Sequence, residues 1–362
     1  MSVTRRSLLA AAGLAAAGPV LLSRSRPARA ATSPVLAGQR VIHAYSGLTP
    51  PDSLLATIRS GGTAGVLFFG DNISSESQIA SVIDQLRDAA ADSPIDAPLL
   101  LLTDQEGGQV RRLPGAPDQS EKQVGASSDP TGAARTAGTG AGNNLAGVGM
   151  NLNLAPVLGV YRAAGDFLDQ YGRSYSMDAG VCNDCGGAFV DAQQATGVAA
   201  TAKHFPGLGA ATSRQNTDNV PVTLKVSAST LRSVDEAAYA ASISAGVKLV
   251  MCSWAVYPSL DASRPAGLSK TIVGGELRSR LGFGGVTVTD SIGAGALSSY
   301  GSVGNRSVLA AGAGMDLILC TSESAGDSAA DALSAALDDG TLDHDTFVAA
   351  ADRVTALRHT LT

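Results

Sequence analysis

Eight apolar runs recur along the chain, each bounded by Gly, Pro or acidic residues: 40–45, 65–69, 98–103, 150–156, 197–203, 248–253, 285–289 and 315–320. None keeps a strict in–out alternation, which is the pattern of strands covered on both faces, as in a parallel sheet. Helix-like segments at 76–90, 179–196, 230–246, 273–281, 325–337 and 344–357 lie between and after them. Eight buried strands alternating with helices predict an α/β fold, a (β/α)8 TIM-type barrel, in a single domain. A doubly wound open sheet is the alternative, disfavoured because no Gly-rich phosphate loop follows the first strand. Two connections, 115–144 and 207–224, read as long loops, which in compact domains are often functional. The residues after 360 leave no room for a second domain.

The first 30 residues read as an export leader. Arg5 and Arg6 form a twin-arginine start, 8–22 is an Ala-rich apolar stretch, and Ala28-Arg29-Ala30 is a small-x-small cleavage site. The mature domain is then 31–362. Five of the 26 basic residues and none of the 32 acidic ones lie in the leader, so the remainder carries a formal charge of −11. An acidic exported chain with only 4% aromatic residues suits neither nucleic acid nor an anionic membrane surface. No other run is long enough to span a bilayer. Cys182 and Cys185 have the spacing of half a zinc or redox site, but no second pair accompanies them, so a metal is not expected. A disulfide between these two is open after export. Cys252 and Cys320 fall in apolar runs and read as core.

In a barrel of this kind the functional residues sit at the C-terminal ends of the strands. Those ends carry Asp104 and Glu106 with Arg111 and Arg112 (third), Arg173 (after the fourth), Lys203 and His204 (fifth), Ser253 and Trp254 (sixth), and Asp290 with Ser291 (seventh). Taken singly, each has a plain reading: Asp290 as the N-cap of a helix starting at Ile292, Arg173 as half of a surface ion pair. Together they place two or three carboxylates, two cations and an Arg around one bowl. Without a metal cluster or nucleotide loop, that set suits polyol recognition and attack on an acetal carbon.

These residues also carry a resemblance. TDQEGGQVRR at 103–112, NLAPV at 153–157, RSYS at 173–176, KHFPG at 203–207 and LGFGGVTVTD at 281–290 resemble glycoside hydrolase family 3, and most of all its single-domain bacterial β-N-acetylglucosaminidases of wall turnover. The motifs follow the family's order and cover roughly 38–358. The resemblance implies a retaining glycosidase acting on wall-derived saccharides that contain N-acetylglucosamine, with Asp290 as the nucleophile that forms a covalent glycosyl-enzyme. It further implies that Asp104, Arg112, Arg173, Lys203 and His204 hold the sugar in the −1 subsite. It implies no cofactor, and says nothing of oligomeric state.

The chain departs from the family's pattern where proton transfer is concerned. The hexosaminidase branch usually continues KHFPGHGD and later carries Asp-Ser-His, whose imidazole is the acid/base. Here Leu208 and Ala210 occupy the first positions, and the following loop, 211–219, has no His. Gly159 stands where the family has Asp, Trp254 where a His is common, and Ser291 where a second acid follows the nucleophile. Two readings follow. Asp218 replaces the His as acid/base, with turn-capping as its plain alternative, and Glu106 is a weaker, more structural candidate. Otherwise the chain has lost hydrolysis and binds wall sugars. A changed sugar preference, or phosphate in place of water as acceptor, also stays open. Trp254 reads equally as a stacking platform for substrate and as a filler of the barrel rim.

Overall fold

The computed structural model describes residues 32–361. The expected leader at 1–30 lies outside the described residues. Eight parallel strands form the barrel: β1 (Val41–Ala44), β2 (Gly65–Leu67), β3 (Leu100–Thr103), β4 (Leu152–Asn153), β5 (Ala199–Phe205), β6 (Leu249–Cys252), β7 (Val286–Thr289) and β8 (Ile318–Leu319). Each pairs in parallel with the next in sequence from β1 to β7, and β8 pairs with β1. The ring closes between β7 and β8 through a parallel bridge from Val288 to Leu317.

The lack of alternation in the apolar runs has a direct structural cause. Residues two apart on a strand face the same side. Ile42, Ala44, Leu67, Leu100, Leu102, Leu152, Leu154, Leu249, Met251, Val286, Val288, Leu317 and Leu319 point inward and fill the barrel, joined by Val354 and Leu357 of the last helix and by Leu361 just beyond it. Their neighbours Val66, Leu99 and Leu101 point outward against Ile79, Ile83 and Leu86 of helix Glu76–Ala91. Val41, Ala200, Ala202, Val250 and Ile318 do the same on the other flank.

Two strands, β4 and β8, are cut to two residues each. At β4 side-chain amides replace ladder bonds: Asn151 Oδ1 accepts from Leu101 N–H (2.9 Å) and Asn151 Nδ2 donates to Leu99 O (2.9 Å), while Asn153 makes the same pair of bonds with the backbone of Gln105. At β8 the preceding Asp316 is fully buried in the seam with β7. One of its oxygens accepts from Arg278 (2.6 Å), Thr287 N–H (2.9 Å) and Thr287 Oγ1 (3.1 Å), and the other from Arg353 (2.8 Å).

The connection at 115–144 is not the long loop expected. It holds helix Glu121–Gly125 and helix Pro130–Gly147, the second capped by Asp129 with Pro at its first position. Its repeated Gly residues lower intrinsic propensity and hide the helix. The same small residues let it press on helix Ala179–Gln194: a Cβ at Gly138 would lie 2.4 Å from Phe189 O. The segment 230–246 is likewise irregular, a π-helical turn Leu231–Asp235 followed by a 3-10 turn Ala237–Tyr239 and a short α-helix Ala240–Ser244. The loop at 207–224 is a loop, as expected. Cys182 and Cys185 do not form the disulfide left open by their spacing. Both are free thiols buried on helix Ala179–Gln194, pushed up to about 12 by burial.

Asp316→Ala is expected to leave two guanidiniums and the Thr287 N–H facing an empty seam, at a cost of about 3–5 kcal/mol. Urea denaturation measures it, and a loss under about 1 kcal/mol would contradict this role for the seam.

Candidate active site

The C-terminal ends of the strands open into one cavity of about 380 Å³. Its floor is the uppermost layer of the barrel interior, Leu67, Leu154, Met251 and Leu319. Asp104, Arg112, Arg173, Lys203, His204, Asp218 and Asp290 line its walls. The structure therefore brings together seven of the eight site residues expected from sequence.

The exception is Trp254. Its indole is buried, its Nε1 donates to Ser291 O (2.8 Å), and a Cβ on Gly267 would sit 2.6 Å from its ring. The ring is walled in beneath the Asp290 turn and does not line the cavity. The stacking expectation is corrected to that of a filler which also fixes the turn after β7.

The polar wall is built on β3 and β5. After Thr103 the chain folds into a two-stranded ribbon, Gln105–Gly107 against Val110–Arg111, which returns Arg112 to the cavity. Buried Gln105 secures it: Oε1 accepts from the N–H groups of Arg112 and Leu113, and Nε2 donates to Leu113 O and Ala116 O. The ribbon's turn needs Gly107, whose φ is 109° and whose Cβ would fall 2.3 Å from Gln119 O.

Glu106 points below the cavity and is fully enclosed. Arg173 meets it as a fork, Nε to Oε2 and Nη2 to Oε1, each at 2.8 Å. Lys203 Nζ adds 2.7 Å to Glu106 Oε1 and 2.6 Å to Asp104 Oδ1. Burial alone would push the Glu106 carboxyl up, but Arg173 and then Lys203 overcome it and hold the group at about 2. Burial likewise works against the charge on Lys203 and on Arg173, and the carboxylates they face raise both. The plain reading of Arg173 as a surface ion pair fails, since its side chain is 18% exposed and its partner is buried. Arg112 Nη2 stands 4.0 Å from Asp104 Oδ2. His204 is pushed well below the usual histidine range by burial and then by Lys203 and Arg173, so it faces the cavity as a neutral imidazole.

Asp290 and Asp218 lie on separate loops. Asp290 is no N-cap: its Oδ1 accepts from the next N–H, Ser291 (2.6 Å), and the following 3-10 turn, Gly295–Tyr300, has Ala294 at its cap. Its carboxyl is pushed up to about 7, first by burial and then by the charge of Asp218. Asp218 does not cap its turn either, because Asn216 Oδ1 accepts the Asp218 N–H (2.9 Å) and the Asp218 side chain is left to the cavity. The two loops are stapled through backbone, with Gly295 N–H donating to Asp218 O (2.7 Å) and Ala296 N–H to Thr217 O (3.0 Å).

Sequence reasoning missed Glu121. It is buried behind the wall, its Oε1 accepts from Val157 N–H (2.7 Å), and burial followed by the charge of Glu106 pushes its carboxyl well above the usual range. Its only sequence signal is the Ser120/Gln123 capping box that opens its helix, which says nothing of where Glu121 points. Leu208, in place of the family's His, is buried and lines the cavity. At Gly159 a Cβ would meet Leu168 Cδ1 at 2.2 Å, so Leu168 fills the space of the missing carboxylate.

Comparison with known proteins agrees with this geometry. The model of the glycosyl hydrolase family 3 N-terminal domain matches residues 44–357. The chain belongs to glycoside hydrolase family 3. It is a glycosidase with the family's barrel. It is similar to an uncharacterized secreted glycosyl hydrolase of Arthroderma benhamiae, 44% identical over 345 residues, or 94% of this chain and 97% of that one. A beta-hexosaminidase of Xanthomonas oryzae pv. oryzae is 33% identical over 72% of this chain and 77% of its own length. Among solved structures, the family 3 beta-N-acetylglucosaminidase of Paenibacillus sp. FPU-7 superposes with a TM-score of 0.86 at 32% identity. This match covers 91% of this chain but 63% of that one, so the chain spans less than two thirds of that relative. The beta-N-acetylhexosaminidase of Beutenbergia cavernae superposes at 0.82 with 32% identity, over 91% of this chain and 99% of its own.

The raised Asp290 carboxyl makes a stability prediction. A carboxyl held at about 7 when folded, against an ordinary value of 3.8, costs nothing below pH 4, and its cost grows as pH rises towards 7. Asp290→Asn is therefore expected to raise Tm at pH 8 and leave it unchanged at pH 4, with Asp218→Asn giving part of the same gain. Scanning calorimetry at the two pH values reads this; an equal gain at both would refute it.

Proposed function

We propose that this glycosidase is a retaining β-N-acetylhexosaminidase that removes terminal β-linked N-acetylglucosamine from wall-derived saccharides. The observation that carries the reading is the pair of carboxyls, Asp290 and Asp218, on opposing loops over a cavity walled by Asp104, Arg112, Arg173, Lys203 and His204. The names of the Xanthomonas, Paenibacillus and Beutenbergia relatives support the choice of sugar.

In the first step an Asp290 oxygen attacks C1 while the bond from C1 to the leaving oxygen breaks. Asp218 gives its proton to that oxygen. In the second step the Asp218 carboxylate takes a proton from water, the water oxygen bonds to C1, and the ester to Asp290 breaks. Attack needs Asp290 as the carboxylate, and burial together with the charge of Asp218 favours its protonated form, so Asp290 must give up its proton before C1 is attacked. Lys203, Arg173 and Arg112 donate to sugar oxygens, Asp104 accepts from hydroxyls, and neutral His204 does either without adding charge.

We also read 1–30 as a cleaved twin-arginine leader that delivers a mature domain of 31–362 outside the cytoplasm. The Arthroderma relative, described as secreted, supports export. Among the described residues no helix is long and apolar enough to cross a membrane.

An activated aryl β-N-acetylglucosaminide should be turned over by the mature protein, with activity abolished in Asp290→Ala and the glycosyl group detectable on the wild type by intact-protein mass spectrometry. Asp218→Ala should lose about 10²–10⁴-fold on a poor leaving group and much less on an activated one. Equal losses on both would remove Asp218 from the acid role. The absence of an imidazole from the loop favours one second reading, a sugar-binding protein without turnover. Calorimetric binding of N-acetylglucosamine with no hydrolysis of any aryl glycoside, with or without phosphate, would select it.

A further inference from the structure

Four large apolar side chains stand exposed among the described residues: Leu48, Tyr171, Met177 and Val220. All four lie in loops that leave the C-terminal ends of strands, after β1, β4, β4 and β5. The outer helices and the opposite end of the barrel contribute none. This is the end of the barrel into which the cavity opens, so each is a candidate for contact with a ligand.

Tyr171 is the best placed. Phe167 lines the cavity, and the Tyr171 ring meets it edge to face, with centroids 6.0 Å apart at 81°, so the apolar wall continues from inside the cavity to its lip. Tyr171 as a residue is 42% exposed. Its backbone is firmly held. It ends a 3-10 turn, Asp169–Tyr171, whose Asp169 pairs with Lys122 (2.6 Å) and accepts from Gly165 N–H (2.7 Å). The same segment is tied to the loop that carries Asp218: Phe167 N–H donates to Ala211 O (2.9 Å), and Gln170 Nε2 to Ser213 O (3.0 Å). Val220, two residues beyond Asp218, is exposed on that loop.

On the function proposed above, a general acid must touch the oxygen that joins the sugar to its leaving group. Whatever flanks Asp218 on the outer side of the cavity therefore faces the leaving group and not the −1 sugar. We propose that Tyr171, backed by Phe167 and accompanied by Val220, is the platform of the +1 subsite. It takes a leaving group with a flat C–H or aryl face, such as a second pyranose ring or an aromatic aglycone. A tyrosine already fixed on a rigid turn loses little freedom when it is covered, so stacking there converts efficiently into affinity.

The test compares Tyr171→Ala and Tyr171→Phe with the wild type on three β-N-acetylglucosaminides: an aryl glycoside, the β-1,4-linked disaccharide, and the glycosyl fluoride, whose leaving group has no face to stack. Tyr171→Ala should lose about tenfold in kcat/KM on the first two, mainly through KM, with the fluoride within about twofold. Tyr171→Phe should match the wild type. Equal losses on all three would make Tyr171 a fold residue, and no loss on any would remove it from the subsite; either overturns the proposal. A loss on one of the first two alone identifies which ring the platform takes. If the wild type hydrolyses none of the three, the proposed activity fails. The platform is then judged by calorimetry, where the tighter binding of aryl over methyl glycoside should vanish in Tyr171→Ala, and its persistence would overturn the proposal.

Discussion

The buried carboxylate of Glu106 is the interaction on which the site's geometry depends. It sits below the cavity with its two oxygens taken by Arg173 and Lys203. Without it, two cations, one on the loop after β4 and one on β5, would repel each other in a space with little water. With it, they are drawn to one point and aimed upward, and Asp104 takes the remaining reach of the Lys203 ammonium. Such a cluster need not add to stability, since taking ions out of water costs about as much as their attraction returns. Its effect is positional. It fixes where donors stand before a sugar arrives, so that binding need not reorganise them.

Much of the architecture was legible because barrel strands are covered on both faces. That leaves runs without alternation, and the ends of those runs give the polar residues of one rim. The places where the reading failed have physical reasons. Helix Pro130–Gly147 is built from Ala and Gly because it packs at backbone distance on its neighbour, and that composition is what disguises it as a loop. The turns at 228–244 follow no single period, so periodicity fixes neither their bounds nor their type.

At the site, sequence order along strand ends was enough to collect six of the residues, and the loop after β5 supplied Asp218, yet neither could assign depth. Trp254 follows a strand end as Lys203 and Asp290 occupy theirs, but its ring turns inward against Gly267 and hydrogen-bonds to a carbonyl. Glu106 and Asp104 are only two residues apart, yet one lies beneath the cavity and the other lines it. Glu121 arrives from a helix and not from a strand end, and its burial depends on how that helix packs on its neighbours and brings the carboxyl to Val157 N–H. Depth is a property of the packed molecule, and a linear pattern of polar residues does not encode it.

The backbone bonds between the loops after β5 and β7 have an evolutionary consequence. Peptide groups of Gly295 and Ala296 hold peptide groups of Thr217 and Asp218, so the attachment makes no demand on the identity of the side chains at 217 and 218. A loop anchored in this way can exchange the group it presents over the cavity without losing its place. Were an imidazole exchanged for a carboxyl at such a position, the change would be local, and the frame around it would stay as it is.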